Sequence, residues 1–285
     1  MSAYRQVNAS RRNAHPRRKA RLGQNFLVDA GAAHRIIEAL GNIGSSVVVE
    51  IGPGRGALTT ILADRAGFLI ATELDEQLAI QLRAAFSEKP NVEIMQANFL
   101  NVSLSELVRT VPLASQRERV RVVGNIPYYI TSDILLGLFQ QHTLIETIVL
   151  MVQKEVADRL AATPGSRDYG LLTVTTQLFA EVERLFTLPP GAFSPPPQVH
   201  SSVLRLRIAP KEGDLKINPE AFLGFCKQAF AQKRKTLLNN LRTRYAESAI
   251  KAALCSAKLR EDVRAEAASL EELAMTFRAL SADTE

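Results

Sequence analysis

The chain has 285 residues, 46% of them apolar, which is enough to bury a sizeable core and excludes a disordered composition. Two cysteines, Cys226 and Cys255, and four scattered histidines exclude a disulfide scaffold and a zinc cluster, and they fit a reducing compartment. The net charge of +6 resides in the first 21 residues, where Arg5, Arg11, Arg12, Arg17, Arg18, Lys19 and Arg21 meet no acid; the remainder balances at 28 basic against 29 acidic residues.

That arm suits a polyanionic partner, with a solvated tail as the alternative. It is Arg-rich and acid-free, as organellar transit peptides are, but it lacks their amphipathic pattern, so a cytoplasmic location is expected. The longest charge-free stretch, residues 185–204, contains five prolines and cannot span a membrane as a helix. After the arm, "GQNFLVDAGAAHRIIEAL" turns amphipathic, with Ile36, Ile37 and Leu40 on one helical face and Gly41 at its end. "SVVVEIGPGRGALTTILADRA" reads as strand, glycine turn and helix. "FLIATEL" is a second strand, followed by the helix "DEQLAIQLRAAF". "NVEIMQANFL" and "RVRVVGN" are the third and fourth strands, "SDILLGLFQQ" is helical and "LIETIVLMVQ" is the fifth strand. No element is assigned to residues 154–179. "EVERLFTLPPGAFSPPPQVHSSVLRLRI" has strand-like ends around a proline-rich loop, and residues 219–280 read as helices.

Strands alternating with helices at this spacing predict an α/β fold, a parallel doubly wound sheet. A boundary falls at "APKEGD", near residue 210. The chain thus divides into a basic arm over 1–21, a catalytic domain over 22–210 and a smaller C-terminal helical domain over 211–285. Gly52, Glu73, Asn98 and Asn125 all fall just after strands, at the rim where open α/β sheets bind ligands.

Gly52, Gly54 and Gly56 sit between a strand and a helix, where glycine permits a sharp turn and a close ligand. This spacing is weak alone, and a tight turn explains it equally. Glu73 strengthens it, since a carboxylate 21 residues after Gly52 can accept from both hydroxyls of a ribose. A nicotinamide cofactor and S-adenosylmethionine both carry that ribose. The methyl donor has no pyrophosphate and needs no phosphate cradle at the helix start, which favours a methyltransferase.

The turn "NIPYY" supports the same class. An adenine amino group is a poor nucleophile because its lone pair is delocalised into the ring. Accepting both amino hydrogens frees that lone pair, and the Asn125 side-chain oxygen with a backbone carbonyl, that of Ile126, can do so. Pro127 fixes φ and removes a donor. Tyr128 offers a face for an extruded base, worth about 1–3 kcal/mol, whereas Tyr129 reads as packing. The displacement needs orientation rather than a metal.

With these residues assembled, the chain resembles the rRNA adenine dimethyltransferase family over about residues 21–244. The resemblance rests on "GQNFL" (23–27), "EIGPGRGALT" (50–59), "ELD" (73–75), "NIPYYIT" (125–131), "FSPPPQVHSSVLRL" (193–206) and "FAQKRKTLLNNL" (230–241). It implies a Rossmann-like S-adenosylmethionine-dependent sheet in which Asn25, Leu27, Gly52, Glu73, Asn98 and Asn125 hold the methyl donor. It also implies that Phe193, by position a loop residue of no assigned role, lines the target-base pocket opposite Tyr128. Asn98 departs from the acid usual in the family, so its contact to the cofactor's adenine loses its charge-assisted part. His200 also stands where some relatives carry an acid.

The implied substrate is two adjacent adenosines in a hairpin near the 3′ end of small-subunit rRNA, both dimethylated. The rRNA would be met free or in a pre-30S particle, by a monomer. Lys227, Lys233, Arg234, Lys235, Arg242 and Arg244, with no acid between Glu220 and Glu247, add a second basic cluster suited to phosphates. Three other readings compete: a large-subunit rRNA methylase of the macrolide-resistance type, a non-catalytic RNA-binding assembly factor, and a nicotinamide dehydrogenase. "FAQKRKTLLNNL" speaks against the first, the intact "NIPY" against the second, and the amide–proline–aromatic turn against the third.

Overall fold

The computed structural model describes residues 24–111, 119–126 and 130–282. Strand β1 (Phe26–Leu27) leads to helix α1 (Ala30–Glu38), whose N-terminus is capped by Asp29 accepting from the Ala32 N–H at 2.9 Å. Then come β2 (Val47–Ile51), α2 (Thr59–Arg65), β3 (Phe68–Glu73), α3 (Glu76–Ala85), β4 (Val92–Gln96) and α4 (Leu104–Thr110). The sheet resumes with β5 (Val120–Asn125), α5 (Thr131–Gln140) and β6 (Ile145–Gln153). Helices α6 (Lys154–Leu160) and α7 (Leu171–Phe179) precede β7 (Ala180–Leu188), β8 (Phe193–Ser194) and β9 (Ser201–Ile208).

Seven strands form one sheet in the order β4-β3-β2-β5-β6-β9-β7, and β1 pairs separately with β8. The first five run parallel, as the strand–helix alternation predicts. The last two do not: β9 is antiparallel to β6, and β7 to β9. The proline-rich loop returns the chain directly from β7 to β9, so no crossover helix is available to make the pair parallel. Strand order reverses between β2 and β5, because β3 and β4 extend outward from β2 and the chain then crosses back to its other side. This is the switch point at which doubly wound sheets open a crevice.

Period-2 side-chain alternation divides the core into two layers. Val47, Val49 and Ile51 of β2 face one cluster, with α4, α5 and α7, while Val48 joins Leu69, Val123 and Val149 on the other, under α1 and α2. Helix α7, in the stretch left unassigned above, is rich in β-branched residues that disfavour helix. Two of its threonines satisfy their hydroxyls on the preceding turn, Thr175 on the Leu171 carbonyl and Thr176 on that of Leu172, both at 2.8 Å.

After β9 the chain is helical: α8 (Glu212–Leu215), α9 (Pro219–Ala229), α10 (Leu237–Leu241), α11 (Glu247–Ser256) and α12 (Leu270–Ala282). Phe222, Phe225 and Phe277 form an aromatic knot there, with ring centroids 5.6–6.2 Å apart. The buried cluster runs without a break from β2 through α7 to Leu280. No helix among the described residues is long and apolar enough to cross a membrane.

Candidate active site

The cleft opens at the carboxyl ends of β2, β3, β4 and β5. Its floor is the turn that begins as β2 ends. Gly52 and Gly54 adopt φ of +66° and +59°, which side-chain-bearing residues rarely adopt. At Gly54 there is also no room, since a Cβ would lie 2.9 Å from Cδ1 of Phe26.

Glu73 ends β3 and is 3% exposed. Its Oε2 accepts the Gly54 N–H and its Oε1 the Asp75 N–H, both at 2.9 Å. These two bonds lock the carboxylate against the glycine turn and leave lone pairs on both oxygens for further donors. Around it the wall is apolar or amidic: Leu74, Ala97, Asn98, Phe99, Ile130 and Ile134. Among the described residues no lysine or arginine lines the cleft. A nucleoside with its ribose on Glu73 and a positive charge elsewhere fits this lining, whereas a pyrophosphate finds no cation among the described residues.

Asn125, the last residue of β5, donates from Nδ2 to the backbone carbonyl of Asn25 at 2.9 Å. The amide's donor end is thus committed, and Oδ1 is the end that can accept from a ligand. Ile126 follows, 1% exposed, with its N–H on the Met151 carbonyl at 3.2 Å. The backbone is therefore held both along β5 and at Ile126.

Beneath the glycine turn lies Glu50, which is 1% exposed. Burial pushes its pKa up to about 8, Thr59 partly offsets this, and the nearby charge of Glu73 adds to the rise. Its Oε2 finds no hydrogen-bond partner. At neutral pH Glu50 is therefore mainly uncharged.

Asn25, Gly52, Glu73, Asn98, Asn125 and Ile126 all line this one cleft. Asn98 already uses Oδ1 to accept the Leu100 N–H at 3.1 Å, capping a short 3-10 turn, so a ligand can share only its second lone pair. Leu27 and Phe193 lie elsewhere: they are register partners in the β1–β8 pair, 7% and 3% exposed, in the core under α1. Pro127, Tyr128, Tyr129 and the basic arm fall outside the described residues.

The sequence reading passed over Phe26, Leu74, Phe99 and Glu50. The signal for Phe26 was its adjacency to Asn25; Glu50 was indistinguishable from any strand residue. Away from the cleft, the C-terminal basic cluster is joined by two residues not read with it. Arg159 and Arg167 line one groove with Lys233, whose Nζ donates to the Arg167 carbonyl at 3.0 Å, and two acids, Asp168 and Glu266, line it as well. Arg242 is instead committed to Glu247, at 2.6 Å. Among the described residues there is no group of three His, Cys, Asp or Glu able to hold a metal.

The model of a family described as ribosomal RNA adenine dimethylase matches residues 16–281. A ribosomal RNA small subunit methyltransferase A from Koribacter versatilis (strain Ellin345) is 55% identical, covering 95% of this chain and 98% of its own. The protein of the same name from Shouchella clausii (strain KSM-K16) is 38% identical over 92% of this chain and 89% of its own. Among solved structures, the 23S rRNA methyltransferase ErmE superposes with a TM-score of 0.67 at 31% identity, over 90% of this chain and all of that one. A dimethyladenosine transferase from Plasmodium falciparum reaches 0.73 at 23% identity, over 88% of this chain and 95% of its own, and shares the fold.

Proposed function

Because the chain belongs to the ribosomal RNA adenine dimethylase family, we propose that it dimethylates the 6-amino groups of two adjacent adenosines in small-subunit rRNA. The methyl donor is S-adenosylmethionine and the target is a hairpin near the RNA's 3′ end. The carrying observation is the oriented amide of Asn125 at the edge of a crevice that holds Glu73 and, among the described residues, no lysine or arginine.

The donor, when bound, supplies an activated methyl group on a sulfonium. Glu73 takes the ribose hydroxyls, Leu74 and Phe99 flank the adenine, and Asn98 takes the adenine's amino group. Asn125 accepts one hydrogen of the target amino group through Oδ1, and the Ile126 carbonyl accepts the other. The nitrogen lone pair is thereby released toward the methyl group. The cationic amine formed by transfer is acidic and loses its proton to water. In this proposal Tyr128 stacks on the extruded base, Phe193 backs the base pocket from the core, and Pro127 stiffens the turn. Leu27 supports the cofactor segment from behind.

The RNA backbone is held by the arm over 1–21 and by the helical domain over 211–285. The enzyme acts as a cytoplasmic monomer on rRNA or a pre-30S particle. The likeness to ErmE keeps a large-subunit target as the second reading, and the small-subunit name of the 55% identical relative weighs against it.

The test uses small-subunit particles lacking the modification, labelled donor and large-subunit RNA in parallel, with product identified by mass spectrometry. Dimethyladenosine in the small-subunit RNA alone is expected; product in the large-subunit RNA instead would overturn the assignment. Asn125→Ala is expected to lower kcat by about 10²–10³, by analogy with loss of one preorganised hydrogen bond, with cofactor affinity held within a few-fold by calorimetry. Undiminished turnover would remove Asn125 from the chemistry.

A further inference from the structure

Residues 24–27 form a strap that crosses from the cofactor cleft to the β8 loop. Its C-terminal half is anchored by backbone bonds: the β1–β8 pair, and the Val28 N–H on the Ala192 carbonyl at 2.9 Å. A two-residue strand pair is a weak tether. The N-terminal half, which presents the Asn25 carbonyl to Asn125, rests on a different contact. The Phe26 ring lies in the space that a Cβ at Gly54 would fill, and the Arg55 guanidinium carbon sits 4.4 Å from that ring's centroid. The ring is thus gripped by two consecutive residues of the glycine turn, one yielding space and one supplying a cation.

We propose that Phe26, gripped by Arg55, is a positioning residue for methyl transfer: it seats the Asn25 carbonyl so that the Asn125 amide is held with Oδ1 toward the target amino group. An untethered Asn125 amide could rotate by half a turn and present Nδ2, a donor, to an amino group that also donates. The glycine turn would then have a second task besides cradling the cofactor, since the same loop sets the orientation of the group that activates the nucleophile. The inference rests on the proposed role of Asn125, and its test has a readout independent of that role.

The Asn125 side-chain NH₂ gives two proton–nitrogen signals, assigned by their loss in Asn125→Ala. In the wild-type chain they are expected to be widely separated and slow to exchange, because Nδ2 is bonded to Asn25. In Arg55→Ala, a substitution at the exposed surface, they are expected to converge and exchange faster. Its kcat is expected to fall about two- to fivefold, the worth of one exposed cation–π contact. Arg55→Lys keeps a cation and is expected to recover most of both. Phe26→Ala is expected to give the larger effect, at least tenfold in kcat, with the RNA KM unchanged.

Unmoved Asn125 signals in both Arg55→Ala and Phe26→Ala would overturn the proposal. So would moved signals with unaltered kcat. Absence of adenosine methylation by the wild-type chain, with the signals behaving as expected, would instead refute the proposed reaction, and with it the catalytic purpose of the grip, while leaving its hold on the Asn125 amide established.

Discussion

At the scale of single residues, two buried carboxyl groups differ in their partners, Glu73 lining the crevice and Glu50 lying beneath the glycine turn. Glu73 is stabilised by backbone donors, whereas the Glu50 carboxyl lacks a partner for Oε2. The folded-state pKa of Glu50 is raised from 4.5 to about 8, so between those values the folded chain binds more proton than the unfolded one. Stability contributed by this group is therefore fully present below pH 4.5 and is lost as pH rises through about 8. Glu50→Gln is expected to remove this loss and to stabilise the chain at pH 9 by a few kcal/mol, since each tenfold change in proton affinity is worth at most about 1.4 kcal/mol. Urea unfolding of both proteins at pH 6 and pH 9 measures it, and an equal decline in both would assign the pH dependence elsewhere. Glu73 and Asn125 could be read from sequence because each is a polar residue where a strand stops, a position with few structural uses. Glu50 could not, because a buried acid within a strand and an exposed one look alike until the neighbouring layers are in place.

At the scale of elements, the crevice depends on how closely β2 and β5 approach. Gly124 sits where a Cβ would lie 2.7 Å from the Ile51 carbonyl oxygen, a backbone atom that cannot yield. Gly124→Ala is expected to push β5 from β2, costing about 1–3 kcal/mol in denaturant unfolding and separating Gly52 from Asn125. Cofactor affinity is expected to fall with it; unchanged affinity in a folded variant would show that the crevice tolerates the wider spacing. The parallel strands were legible because their buried runs alternate with amphipathic helices. The β1–β8 pair was not, because two-residue strands carry no periodicity and their partner lies far along the chain. Helix α7 was missed for the opposite reason: its Thr-Val-Thr-Thr run argues for strand locally, and burial between the sheet and α9 overrides that preference.

At the scale of the whole molecule, charge and core are distributed differently. The cleft, free of lysine and arginine among the described residues, and the groove where Arg159, Arg167 and Lys233 outnumber Asp168 and Glu266 are separate features, so donor binding and RNA binding are expected to respond differently to salt. Replacing Lys233, Arg234 and Lys235 by alanine is expected to weaken RNA binding and flatten the dependence of log K on log salt. The slope should change by about 0.7–0.9 for each phosphate no longer neutralised. Donor affinity, titrated in the same salt series, is expected to stay constant; a parallel decline would indicate that the substitutions disturb the fold. The basic cluster was visible in sequence, but its extension to Arg159 and Arg167 depended on α7 docking beneath α9, which no local pattern announces. The β1–β8 pairing has a further consequence, in time rather than space. Phe26 leaves the ribosome early, yet its partner Ser194 is added only after more than half the chain has been made. At about 5–20 residues per second the strap waits roughly ten to thirty seconds for its seat. During that interval a nascent chain can complete the glycine turn, Glu73 and Asn125 without the strap beside them, so catalytic competence waits until about two thirds of the chain has been made.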